Sequence, residues 1–158
     1  MSTPTQSLLL VEDSETDESL SLRAISSSGV PCEVMVIRHG GEAVKSLISA
    51  NGPIPDLIVL DFHLPGFNGL EILRELRKQE RTRYIPIVML SSLESDDEVL
   101  DCLHDGANSC VSKPADPHTY VEQVALIVRY WLTVDKRPEQ PGQMQQPVDA
   151  YAMARDIF

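Results

Sequence analysis

Five polar residues have types and positions that suit chemistry: Glu12, Asp13, Asp61, Ser91 and Lys113. Each follows a short apolar run. Glu12-Asp13 comes after Ser7-Leu-Leu-Leu-Val11, Asp61 after Leu57-Ile-Val-Leu60, Ser91 after Ile85-Pro-Ile-Val-Met-Leu90, and Lys113 just after Cys110-Val111. If the first and third runs are neighbours, three carboxylates converge on one pocket. They repel one another strongly unless a cation lies between them. Oxygen donors of this kind suit Mg²⁺, which keeps several waters and takes one or two carboxylates. A carboxylate beside such an ion can attack phosphorus and become an aspartyl phosphate. A lysine charge and a hydroxyl then hold the other phosphoryl oxygens. Together the parts fit phosphoryl transfer to Asp61, with Ser91 and Lys113 supplying those two groups. Taken singly, an acid at a strand end is often only a helix cap. Four strand ends carrying one compatible set make that explanation weak.

The elements that must position these residues alternate along the chain. Ser7–Val11, Glu33–Ile37, Leu57–Leu60, Ile85–Leu90 and a short segment centred on Cys110-Val111 read as strands, mostly apolar as buried parallel strands are. Between them lie helical patterns. Ser14 reads as an N-cap, with Glu15, Asp17 and Glu18 favourable near the positive end of the helix dipole. Gly40-Gly41 reads as a turn before a stripe of Ala43, Val44, Leu47 and Ile48, and Gly52-Pro53 as the helix breaker. A helix from near Asn68 carries Leu70, Leu73 and Leu76, and one over 96–105 is expected to turn Val99, Leu100 and Leu103 inward. The last runs from about Pro117 to Leu132, with Val121, Val124, Ala125, Val128 and Trp131 on one side. Five βα units in order predict an α/β fold, a doubly wound five-stranded parallel sheet with helices on both faces. In such a sheet, ligands bind outside the carboxyl ends of the strands, where the five polar residues fall.

The domain is expected over 1–134. Residues 135–158 read as a flexible C-terminal tail, rich in Pro and Gln, with one or two helical turns expected over 149–158. The net charge of −11 argues against nucleic acid or an anionic membrane as partner, since both attract positive surface. The longest apolar runs, Leu8 to Val11 and Ile85 to Leu90, are far too short to span a membrane. The three cysteines, Cys32, Cys102 and Cys110, include no C-x-x-C pair and read as free thiols in a reducing, cytoplasmic compartment.

These residues also resemble a family. Glu12-Asp13, Leu60-Asp61-Phe-His-Leu-Pro65, Asn68-Gly69, Ser91-Ser92 and Ser112-Lys113-Pro114, in this order, resemble the receiver domain of two-component response regulators. The resemblance implies a flavodoxin-like strand order 2-1-3-4-5. It implies that a histidine kinase phosphorylates Asp61 and that Ser91 and Lys113 sense the phosphate. Asp13, Asp61 and the backbone carbonyl of His63 would hold Mg²⁺, with Glu12 assisting. It further implies a cis Lys113–Pro114 bond and no turnover as an ordinary enzyme beyond slow autodephosphorylation. A homodimer or docking surface is expected on the fourth helix, fifth strand and fifth helix, where Tyr120, Tyr130 and Trp131 offer aromatic anchors. The stretch from Val34 to Gly41, the polar run Lys78–Tyr84 and Gly106-Ala107-Asn108 resemble the single-domain regulators that accompany cyanobacterial phytochromes. That narrower resemblance implies a phytochrome as the kinase.

One residue departs from the pattern. Receivers commonly carry Tyr or Phe three residues before the lysine, and here that position is Cys110. It keeps open a second reading, a pseudo-receiver that binds its partner without phosphate. A phosphatase using Asp61 as nucleophile would usually place a second Asp two residues on. His63 stands there instead.

Overall fold

The computed structural model describes residues 5–52, 54–92 and 95–136. The expected tail helix over 149–158 lies outside them. Five parallel strands, β1 (Gln6–Val11), β2 (Cys32–Ile37), β3 (Leu57–Asp61), β4 (Ile87–Ser91) and β5 (Ser109–Ser112), form one sheet in the order β2-β1-β3-β4-β5. Helices α1 (Glu15–Ser27), α2 (Gly40–Ile48), α3 (Gly69–Lys78), α4 (Asp96–His104) and α5 (Pro117–Arg129) connect and follow them. The expected topology is therefore the one observed.

β3 and β4 are buried at every residue, which explains their unbroken apolar sequences. Alternate side chains feed two cores. Leu9, Val11, Ile58, Leu60 and Met89 pack with α2, α3 and Cys102 of α4. Leu8, Leu10, Val59, Val88 and Leu90 pack with α1 and α5. Truncating a fully buried leucine such as Leu60 to Ala would cost about 2–5 kcal/mol, and would loosen the strand that carries Asp61.

Caps fix where most helices begin. Ser14, His39, Asn68 and Asp116 each accept a backbone N–H from the first turn of α1, α2, α3 and α5. Ser95 makes no such bond for α4. Gly40 and Gly41 open α2 and do not form the expected separate turn. A Cβ on Gly40 would lie 2.0 Å from the Phe67 carbonyl oxygen, so glycine lets α2 approach the loop after β3. α2 also stops at Ile48, before Gly52-Pro53.

Two further expectations are corrected. Leu100 and Leu103 are 61% and 46% exposed, and the buried residue of α4 is Cys102. α4 turns inward the side that carries half-buried Val99 and buried Cys102, three residues apart, which leaves those leucines at the surface. The terminal helix is not continuous to Leu132. α5 ends at Arg129 and passes into a single π-helical turn, Tyr130–Val134.

Arg77 ties the far ends of β4 and β5 together. Its guanidinium donates to the carbonyls of Gly106 (2.8 Å), Arg83 (3.0 Å) and Ile85 (2.8 Å) and to Asn108 Oδ1 (2.9 Å). Asn108 Oδ1 also accepts the Ile87 N–H at 2.8 Å. The Lys78–Tyr84 and Gly106–Asn108 segments noted in the sequence thus meet at one arginine.

Candidate functional site

Parallel pairing brings the polar strand ends to one edge of the sheet. Val11 pairs with Leu60 across β1 and β3, so Glu12 and Asp61 each follow a paired residue. Asp61 pairs with Leu90 and Ser91 with Ser112, which carries Ser91 and Lys113 to the same end. The Lys113 N–H donates to the Ser91 carbonyl at 2.6 Å. Gly69 completes the backing, because a Cβ there would lie 2.4 Å from the Asp61 carbonyl oxygen. Only glycine lets the start of α3 pack this closely against the end of β3.

Glu12, Asp61 and Ser91 are buried, while Asp13 is exposed. One carboxylate oxygen from each of Glu12, Asp13 and Asp61 lies within 4.8 Å of the others. Octahedral Mg²⁺ with bonds of 2.0–2.1 Å separates opposite ligands by roughly 4.1 Å. A small inward shift therefore suffices for the three to share an ion or its waters. The acidic, all-oxygen donor set fits Mg²⁺. Asp61 Oδ1 also accepts the His63 N–H at 3.2 Å, so the His63 backbone runs beside the carboxylate.

Lys113 is the cation facing this cluster. Its Nζ lies 3.0 Å from Glu12 Oε2, 2.9 Å from Asp17 Oδ2 and 3.4 Å from Asp61 Oδ1. Burial lowers the pKa of the ammonium, but the hydrogen bond to Asp17 and the charges of Asp61 and Glu12 outweigh it and raise the pKa. Glu12 moves the other way from an ordinary carboxylate. Burial first, and then the charge of Asp61, push its pKa up to about 7, against the opposing pull of Lys113 and the Ser14 N–H.

All the sequence-predicted site residues, Glu12, Asp13, Asp61, His63, Ser91 and Lys113, thus lie at this end of the sheet. Asp17 was missed as a member. In sequence it reads as one of several acids in the first turn of α1. Its signal is position: it lies one helical turn after Asp13, on an α1 face that meets Lys113. The expected cis Lys113–Pro114 bond is not observed, since no peptide among the described residues is cis. The bond takes the trans form that X–Pro peptides intrinsically favour.

The response regulator receiver domain family matches residues 8–125. The chain belongs to that family. It is 30% identical over 135 residues to the response regulator Rcp1 of Synechocystis, covering 83% of this chain and 92% of that one. It is 31% identical over 134 residues to a probable methanogenesis regulatory protein, FilR2, of Methanothrix harundinacea, covering 83% and 86%. Among solved structures, the phosphorylated cyanobacterial phytochrome response regulator RcpA superposes with a TM-score of 0.80 at 32% identity, over 85% of this chain and 99% of that one. The Mn²⁺-bound form of Rcp1 gives 0.78 at 29% identity, over 84% and 99%. The chain therefore shares the receiver fold with these relatives, and its own acidic cluster lies at the carboxyl end of the sheet.

Proposed function

We propose that this protein is a response regulator that accepts a phosphoryl group on Asp61 from a histidine kinase. The observation that carries the reading is the meeting of Glu12, Asp13 and Asp61 at one point opposite Lys113. When bound, Mg²⁺ would neutralise the phosphoryl oxygens and align them for in-line transfer. Asp61 supplies the attacking carboxylate oxygen as the bond from phosphorus to the kinase histidine breaks. Lys113 moves its charge onto the new phosphate, and the Ser91 hydroxyl donates to it. In this reading the phosphoaccepting domain is 1–134, and the protein is a phosphoacceptor and not a turnover enzyme.

A phytochrome is the kinase class we favour, because RcpA is a phytochrome response regulator and resembles this chain over 85% of its length. No helix of the described residues is long and apolar enough to cross a membrane, which agrees with action in the cytoplasm. For homodimerisation or kinase docking we propose the α4-β5-α5 face. Leu100 and Leu103 on α4, and Leu126, Tyr130 and Val134 on α5 and its π turn, are exposed there. Tyr120 is not an anchor on that face. It is buried, and its hydroxyl pairs with Ser21 Oγ at 3.0 Å.

Mass spectrometry after treatment with a small phosphodonor and Mg²⁺ tests the reading. Wild type should gain one phosphoryl group and Asp61→Asn none. Equal gain by both proteins would overturn the assignment.

A further inference from the structure

The position where receivers commonly place an aromatic ring holds Cys110, and a second cysteine touches it. Cys102 on α4 lies in the core between the sheet and the helices α2 to α4, and Cys110 on β5 packs against that same cluster, near enough for the two thiols to influence each other. They differ in access. Cys102 is fully buried and Cys110 half-buried. We propose that Cys102 and Cys110 form a reversible intramolecular disulfide that fastens α4 to β5, with hydrogen peroxide as the oxidant.

The chemistry balances in two steps. The Cys110 sulfur attacks the peroxide, a sulfur–oxygen bond forms, the oxygen–oxygen bond breaks, and one water leaves. The Cys102 sulfur then attacks the resulting sulfenic acid and expels the second water. Two thiols lose two electrons and two protons, and the peroxide is reduced to two waters. A thiol such as reduced glutathione reverses the bond by exchange.

Two features of α4 make the second cysteine reachable. Ser95 provides no side-chain cap, and Cys102 is the helix's buried residue. A helix tied down so sparsely opens locally at lower cost than the rest of the fold. Opening brings Cys102 to solvent, and closing returns it to Cys110. Burial raises both thiol pKa values, and that of Cys102, which also feels Cys110, is pushed up to about 12. The thiolate is the nucleophile, so oxidation at neutral pH is slow and should quicken about tenfold per unit between pH 7 and 9.

The test treats the full chain with hydrogen peroxide, blocks remaining thiols, and maps peptides without reduction. The expected product is a Cys102–Cys110 linked peptide, formed equally by Cys32→Ser, lost in Cys102→Ser and in Cys110→Ala, and removed by glutathione. Hydrogen exchange on α4 should slow severalfold in the oxidised wild type. If a serine variant unfolds, wild-type and Cys32→Ser peptide maps still decide the matter. Cys110 passing to sulfinic or sulfonic acid without the cross-link would overturn the proposal. Cross-links through Cys32 alone would overturn it as well. Because Asp61 takes no part, Asp61→Asn should form the disulfide like wild type.

Discussion

Lys113 lies closer to Asp17 than to Asp61, at 2.9 Å against 3.4 Å. The lysine therefore rests in a bridge between α1 and the β1 acids, and must give up part of that bridge to reach a phosphate. Asp17 is partly exposed, so solvent screens the pair and limits it to about 1 kcal/mol. Asp17→Asn should free Lys113 and speed labelling of Asp61 by about fivefold, the rate equivalent of that energy. Time courses with a small phosphodonor would read this. Equal rates would mean that the bridge plays no part in the transfer.

Asp13 should separate metal binding from folding. Its carboxylate is exposed, and it completes the acidic cluster. Replacing it with Asn removes a metal ligand and also relieves repulsion on Asp61. We expect Mg²⁺ affinity to fall about tenfold, or about 1.4 kcal/mol, with metal-free stability kept or raised. Titration calorimetry and thermal melting without metal check the two halves. A sharp drop in melting temperature would make Asp13 a structural cap.

Glu12 gives the metal-free protein a pH dependence of definite sign. Its pKa is about 7 in the fold, against about 4.5 for an unperturbed glutamate. Between these values the folded state binds the extra proton, so this group makes stability fall as pH rises from about 4.5 to 7, and level off above. The full effect is on the order of 3 kcal/mol. Glu12→Gln should therefore stabilise the metal-free protein at pH 8 and change it little at pH 4.5. Chemical denaturation at the two values reads the difference. Mg²⁺ should bind wild type with release of protons near pH 7, as the ion takes the place of the proton on the cluster.

The strands and their polar ends were legible because each is a short apolar run closed by a group that must reach solvent or a partner. Leu57–Leu60 followed by Asp61 needs no tertiary knowledge to read. Three features were not legible, and each has a tertiary cause. Asp17 joins the site only because α1 packs against α5 and the Lys113 side chain reaches it across the sheet end, a relation set by tertiary packing. Leu100 and Leu103 have the spacing of a buried stripe, but the amount of sheet that α4 covers decides which apolar residues it buries. Gly40-Gly41 has turn composition, while the contact with Phe67 makes those glycines the start of a helix.

The exposed apolar face on α4 and α5 gives an association prediction. Leu126 is 60% and Leu100 61% exposed, on two helices that flank the edge strand β5. Aromatic and apolar side chains near the centre of an interface carry most of its energy. Leu126→Glu and Leu100→Glu should each weaken self-association or kinase contact at least about tenfold, or about 1.4 kcal/mol, while leaving the monomer's melting temperature almost unchanged. Sedimentation at micromolar concentration, with and without phosphorylation, measures it. A wild type that stays monomeric and a kinase that contacts another face would both count against this surface.

The last expectation concerns which element answers the phosphate. A phosphoryl group on Asp61 shifts the protein only through contacts that differ between two states. Ser91 ends β4, and the chain from it leads directly into α4, the helix without a side-chain cap and with one buried residue. β5 on the other side carries Cys110, so no bulky ring is there to move. The response should therefore concentrate in α4, Asp96–His104, with a smaller change at β5. Its coupling to the phosphate should be about 1–3 kcal/mol, the range usual between linked sites. Hydrogen exchange with and without beryllofluoride, which mimics the phosphoryl group, would map it. We expect altered protection across α4 in the reduced protein. Change that begins at Cys110 and leaves α4 untouched would show that the signal leaves the site through β5 instead.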